Sequence, residues 1–106
     1  LLVSGVLLGP DERVAGVVAG RSLGMPTVAV LTTGRVLVVI ERRWKPIIET
    51  FPLRPSLSVY GRHVDGRASM TFQDGEHVVT LDQIPDVPLA VEMATSTRTH
   101  STNQAF

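Results

Sequence analysis

The chain has 106 residues, of which 43% are hydrophobic, enough for one domain with its own core and no metal or disulfide staple. It contains no cysteine, which excludes a disulfide framework and a cysteine-ligated zinc site. A formal net charge of +0 argues against a nucleic-acid binder held by bulk electrostatics, and no apolar run approaches the roughly 20 residues of a membrane helix.

The charge is unevenly spread. Residues 13–67 balance at +6, residues 1–12 at −2 and residues 68–106 at −4. The apolar opening LLVSGVLL lacks the basic flank and small-residue cleavage site of a secretory signal. Its spacing suits a short helix broken at Gly5, packed on the domain or on a neighbour. Residues 13–22, RVAGVVAGRS, are valine-rich and end before the breaker Gly24, Met25, Pro26, which predicts a strand. Residues 27–32, TVAVLT, alternate, Thr33 and Gly34 make a two-residue link, and residues 35–41, RVLVVIE, return as a hairpin. Pro46 leads into 47–53, IIETFPL, where Pro52 ends the strand or sets it at an edge.

Residues 57–62, LSVYGR, alternate, with Leu57 and Val59 on one side and Ser58 and Tyr60 on the other. Val64, Asp65 and Gly66 supply a turn, and 67–73, RASMTFQ, alternate again. Asp74 and Gly75 signal a hairpin into 76–81, EHVVTL, with Val79 and Leu81 inward. After Ile84 and Pro85, Asp86 is the expected N-cap of one helix, with Pro88 in its first turn. Leu89, Ala90, Met93, Ala94 and Thr97 form its apolar stripe. From Thr95 the residues are polar and poor in helix formers, so the helix is expected to fray there. The organisation expected is an apolar lead-in over 1–12, one mainly β domain over 13–98 and a mobile polar tail over 99–106.

Taken in order, GPDERVAGVVAGR, TVAVLTTGRVLVV, IETFPLRPSLSV and MTFQDGEHVVTLDQI followed by a helix resemble a bacterial pleckstrin-homology-like (PH-like) domain. That family shows a lead-in with GE-x-V, a VLTDRRL hairpin, an ESIPL strand, a DI-x-SV strand, a DG hairpin and a final helix. Asp11, Glu12, Arg13 and Val14, then residues 31–37, 49–53, 57–59 and 74–76, stand in those places. The resemblance covers roughly residues 8–98. It implies a PH-like barrel or sandwich of about seven antiparallel strands in two near-orthogonal sheets, four and three, capped by one C-terminal α-helix. It also implies binding and no catalysis, with members that self-associate into rings or dock beside other segments.

The residues themselves point the same way. There is no G-x-S-x-G elbow, and no G-x-x-x-x-G-K-[ST] or G-x-G-x-x-G phosphate loop, so neither an enzyme nor a cofactor is expected. His63, Asp65 and His77 offer metal-ligand chemistry but lack an identifiable further ligand, so no metal site is expected. A small metal-dependent enzyme is the most distant alternative. Reversal of direction at each antiparallel link brings loops 22–26, 42–46 and 62–66 toward one end. The expected interaction surface there comprises Arg21, Arg42, Arg43, Trp44, Lys45, Arg62 and Arg67, since Trp and Arg dominate protein hot spots.

Phosphoinositide binders of the wider superfamily use the first, third and sixth interstrand loops. Here the first carries only Arg21 and the sixth, at Asp74 and Gly75, is acidic, so that activity is not expected. The partner expected is protein, including other copies of the chain through the acidic residues of 74–92, a heterologous contact that closes into rings or runs into filaments. The alternative is a peripheral adaptor with weak contact to anionic lipid. No nucleic acid and no transmembrane segment are expected, and the location expected is cytoplasmic.

Overall fold

The computed structural model describes residues 2–3, 6–42 and 44–103. Nine strands and one helix follow in order: β1 Leu2–Val3, β2 Val6–Leu7, β3 Val14–Ser22, β4 Met25–Thr32, β5 Arg35–Ile40, β6 Ile47–Pro52, β7 Leu57–Val64, β8 Arg67–Asp74, β9 His77–Ile84 and α1 Val87–Asn103. The last seven strands form one antiparallel sheet in the order β6-β5-β4-β3-β9-β8-β7. The protein is therefore mainly β with one C-terminal helix, as the alternating segments predict.

Tight turns set the registers. Leu23 and Gly24 link β3 to β4 with φ of 52° and 81°, and Asp65 and Gly66 link β7 to β8 with 52° and 74°. Two consecutive left-handed residues match the right-handed twist of the flanking strands. Gly75, at φ 65°, opens the turn between β8 and β9. Thr33 and Gly34 use side-chain chemistry instead: Thr32 Oγ1 accepts hydrogen bonds from the Gly34 and Arg35 amides at 3.2 and 3.1 Å.

The sheet does not close. β6 and β7 are its two edges, and the halves β3–β6 and β7–β9 meet at one registered pair, Arg21 with Asp82. Gly20 makes that approach possible. A Cβ there would lie 2.5 Å from the Asp82 carbonyl oxygen, 3.0 Å from Ile84 Cγ1 and 3.1 Å from Leu81 Cδ1. β9 carries one extra residue at this point: the register moves from Ala68–Ile84 to Met70–Leu81, and Gln83 takes φ 54°. Such a bulge bends the strand and increases its twist.

The bend lets the sheet fold over its own inner face. Val18, Leu31, Val36, Val38, Phe51, Phe72, Leu81 and Ile84 bury in one core. Phe51 of β6 lies 5.9 Å from the Phe72 ring and stacks at 4.2 Å on His77 of β9. Polar bridges hold the same two halves together. His77 Nε2 meets Glu49 Oε2 at 2.5 Å, and Arg54 Nε donates to Asp74 Oδ2 at 2.6 Å.

The alternation in β4 and β5 does not leave a polar outer face. Val30 and Leu37 form a second buried cluster with Leu8, which lies just beyond β2. Burying such a side chain contributes about 1.5–3 kcal/mol relative to exposure, so the lead-in is tied to the domain at Leu8. Its form differs from the expected helix. Leu2 pairs with Leu7 and Val3 with Val6 in a short hairpin, and Ser4 and Gly5 lie outside the described residues.

Glu12 fastens the lead-in to the β4–β5 turn. Its carboxylate accepts from Arg35 Nε at 2.8 Å, Arg35 Nη2 at 2.9 Å, the Thr32 hydroxyl and the Gly9 amide. Those bonds, Arg35 first, hold its pKa at about 2 against an ordinary 4.5, and the Arg35 guanidinium is raised in turn.

The helix begins where expected, with the Leu89 amide donating to Asp86 Oδ1 at 3.1 Å. It does not fray at Thr95 but continues to Asn103, into the segment expected to be a tail. Residues 104–106 lie outside the described residues. Burial explains the extension. Ala90, Met93, Ala94, Thr97 and Ser101 make one buried stripe against β7, β8 and β3, and Arg98 Nε donates to the Val59 carbonyl of edge strand β7 at 2.9 Å. Tertiary packing overrides weak local propensity here.

Two outcomes follow from this packing. Gly20→Val lowers the unfolding free energy by about 3 kcal/mol, whereas Gly34→Ala, whose Cβ meets nothing within 4 Å, changes it by less than about 0.5 kcal/mol. Urea denaturation of both variants measures the contrast. Because the folded Glu12 pKa lies below its unfolded value, its contribution is present above about pH 4.5 and is lost as pH falls toward about 2. Glu12→Gln therefore costs about 1–3 kcal/mol at pH 7 and markedly less near pH 2; thermal melts across that window check it.

Candidate interaction surface

Loop 41–46 grows from the last pair of β5 and β6, Ile40 with Ile47. The Glu41 amide donates to the Pro26 carbonyl at 2.8 Å, which anchors the loop base on β4, and Pro46 stops pairing until β6 begins. Trp44 stands 89% exposed at the loop, and Arg42 and Lys45 beside it are also exposed. Arg43 lies outside the described residues.

Beneath the loop runs a cleft of about 380 Å³ lined by Val28, Val39, Glu41, Arg42 and Pro46. The register aligns Val28, Val39 and Ile48 across β4, β5 and β6, and Ile48 is 41% exposed. This apolar row is next to the row that Leu8 covers. Leu23, 92% exposed, lies at the same end, on the turn between β3 and β4. The Arg21 Nη1 donates back to the Gly24 carbonyl of that turn at 2.9 Å.

The basic residues expected to form one surface divide. Arg42 and Lys45 flank Trp44, whereas Arg62 and Arg67 line a separate cleft of about 200 Å³ with Val64, Ser69, Asp82 and Gln83. Arg21 lies between the two groups, paired in register with Pro26 on one side and Asp82 on the other. Folding also consumes part of the expected acidic partner surface. Asp74 is held by Arg54, which lowers its pKa, and Asp86 caps the helix, while Glu76 and Glu92 stay exposed.

His63 and His77 are not brought together. His63 pairs with Ala68 and His77 with Asp74, at opposite ends of the β7–β8–β9 layer, and no group of three metal-ligating side chains occurs among the described residues. No helix among the described residues is long and apolar enough to cross a membrane. Against known proteins, no family model, curated protein or solved structure matches this chain.

The sequence does not single out Leu23, Val28, Val39 and Ile48 as apolar residues at the loop 41–46 end of the sheet. A signal existed for Leu23, since a Leu-Gly pair two residues before the next strand fits a tight turn with a side chain at its tip. The valine row gave none, because both faces of β4 and β5 are apolar in sequence. The chain has one tryptophan, so its exposure is directly readable. Native Trp44 emission should match that of tryptophan in water and be quenched by iodide nearly as strongly as in the urea-unfolded chain.

Proposed function

We propose that this chain is a non-enzymatic binding module of PH-like architecture that mediates protein–protein contact, including contact with copies of itself. The observation that carries this reading is Trp44. It is 89% exposed on loop 41–46, the same loop whose Arg42 and Pro46 line an apolar cleft with Val28 and Val39. Trp and Arg dominate binding energy where they are desolvated by a partner, and the cleft supplies the apolar neighbourhood in which that happens. Support for the PH-like reading comes from the division of strands into β3–β6 and β7–β9 and from the single C-terminal helix.

Self-association is the reading of the charge distribution. Arg42 and Lys45 lie on one side of the molecule's sequence asymmetry, and Glu76 and Glu92 are exposed in its acidic C-terminal part. A basic surface meeting a different acidic surface is heterologous, so the assembly is a ring or a filament.

One observation favours a second reading. Leu23, 92% exposed, shares the Trp44 end with Arg42 and Lys45, and two apolar tips among basic side chains also suit an anionic lipid surface.

Light scattering at low and high salt separates the two readings. A multimer that dissociates in high salt, in Trp44→Ala and in Arg42→Glu/Lys45→Glu is the expected result. A monomer under every condition overturns self-association. Sedimentation of that monomer with phosphatidylserine vesicles, lost in Trp44→Ala, would establish the lipid reading instead.

A further inference from the structure

The cleft at Arg62 and Arg67 is a second feature, independent of loop 41–46. Arg62 faces Ser69 and Val64 faces Arg67 across the β7–β8 ladder, so all four side chains share one face of the sheet. Arg62 and Arg67 are then diagonal neighbours, about 7–8 Å apart at the backbone, within reach of long side chains on a common ligand. Asp82 and Gln83 complete the lining from the bulge of β9. Gln83 is held there at φ 54°, a conformation that costs a non-glycine residue and that concentrates at binding sites.

The charges of this cleft are unspent. Neither Arg62 nor Arg67 forms an ion pair with another described residue, although Asp82 lines the same cleft. Two guanidinium groups and one carboxylate leave a single net positive charge. That balance fits a monoanion. A phosphate, near two negative charges at neutral pH, meets more repulsion from Asp82 than a carboxylate does. The planar guanidinium fork matches a carboxylate in two parallel hydrogen bonds. Val64, 54% exposed, gives an apolar wall for the aliphatic stem that carries it.

We propose that the Arg62–Arg67–Asp82–Gln83 cleft is a carboxylate-binding site that takes a glutamate or aspartate side chain of an acidic peptide segment. Arg62 and Arg67 grip the carboxylate, the Ser69 hydroxyl and Gln83 amide add donors beside it, and Asp82 accepts from the peptide's own N–H groups and disfavours dianions. The bulge fixes Asp82 and Gln83 opposite the two arginines.

The test is a titration of the ¹⁵N-labelled full chain with a hexaglutamate peptide capped at both ends, followed by amide chemical shifts. Hexaglutamine and inorganic phosphate are the reference titrants. Saturable shifts at Arg62, Arg67, Ser69 and Gln83 are expected with hexaglutamate. Arg62→Gln/Arg67→Gln should weaken them about tenfold, and Arg62→Lys/Arg67→Lys, which keeps charge but loses the fork, should weaken them less. Asp82→Asn should raise the response to phosphate relative to hexaglutamate. The proposal is overturned if these amides do not respond to hexaglutamate, or respond equally in the folded Arg62→Gln/Arg67→Gln variant. It is also overturned if phosphate at equal concentration shifts the same amides as strongly, which would mark a general anion site.

Discussion

The fold depends on how closely β3 can approach β9. The two halves of the sheet share one registered pair, Arg21 with Asp82, and the backbone of β9 comes so near at Gly20 that a side chain there has no room. Ladder hydrogen bonding at a single pair is a weak connection. What makes it a firm one is the bend that follows, because the extra residue at Asp82 and Gln83 turns β9 and lets the sheet cover its own apolar face. Phe51 on one edge then reaches Phe72 and His77 on the other half. Edges β6 and β7 remain unpaired, and each is blunted in a different way: Pro52 ends β6, and the Arg98 side chain occupies the Val59 carbonyl of β7.

The same geometry decides where charge is available. A chain with nine Arg and Lys over residues 13–67 looks like a basic surface, yet folding ties Arg35 to Glu12, Arg54 to Asp74 and Arg21 to its own turn. The guanidinium groups engaged in this way hold the lead-in, the sheet mouth and the first hairpin. Arg42 and Lys45 remain with Trp44, and Arg62 and Arg67 with the Asp82 bulge. Among the described residues, Arg42 with Lys45 and Arg62 with Arg67 thus form two separate basic neighbourhoods of different character. One is apolar and protruding, the other polar and set against a carboxylate.

Much of the fold was legible in the residues. All seven expected strands of the main sheet occur within three residues of their expected ends, since β-branched runs and Gly-containing turns are local signals. Trp44 and its basic flanks were legible as a group because they are adjacent in the chain. Other features were not. The lead-in reads as helix by spacing, but its partner across the hairpin and the apolar face beneath Leu8 decide its form. The polar end of α1 reads as frayed, but Thr97 and Ser101 are buried against the sheet.

By itself, then, the sequence determined the strand and turn grammar, the N-cap at Asp86 and the presence of an aromatic, basic loop at 41–46. These depend on neighbours a few residues apart. Tertiary structure alone decided that Gly20 has no room for a side chain, that Glu12 finds Arg35 and that Arg62 and Arg67 share a cleft with Asp82. Each of those joins residues 15 to 62 positions apart in the chain, and the first and last depend on an extra residue in β9 that has no local pattern of its own.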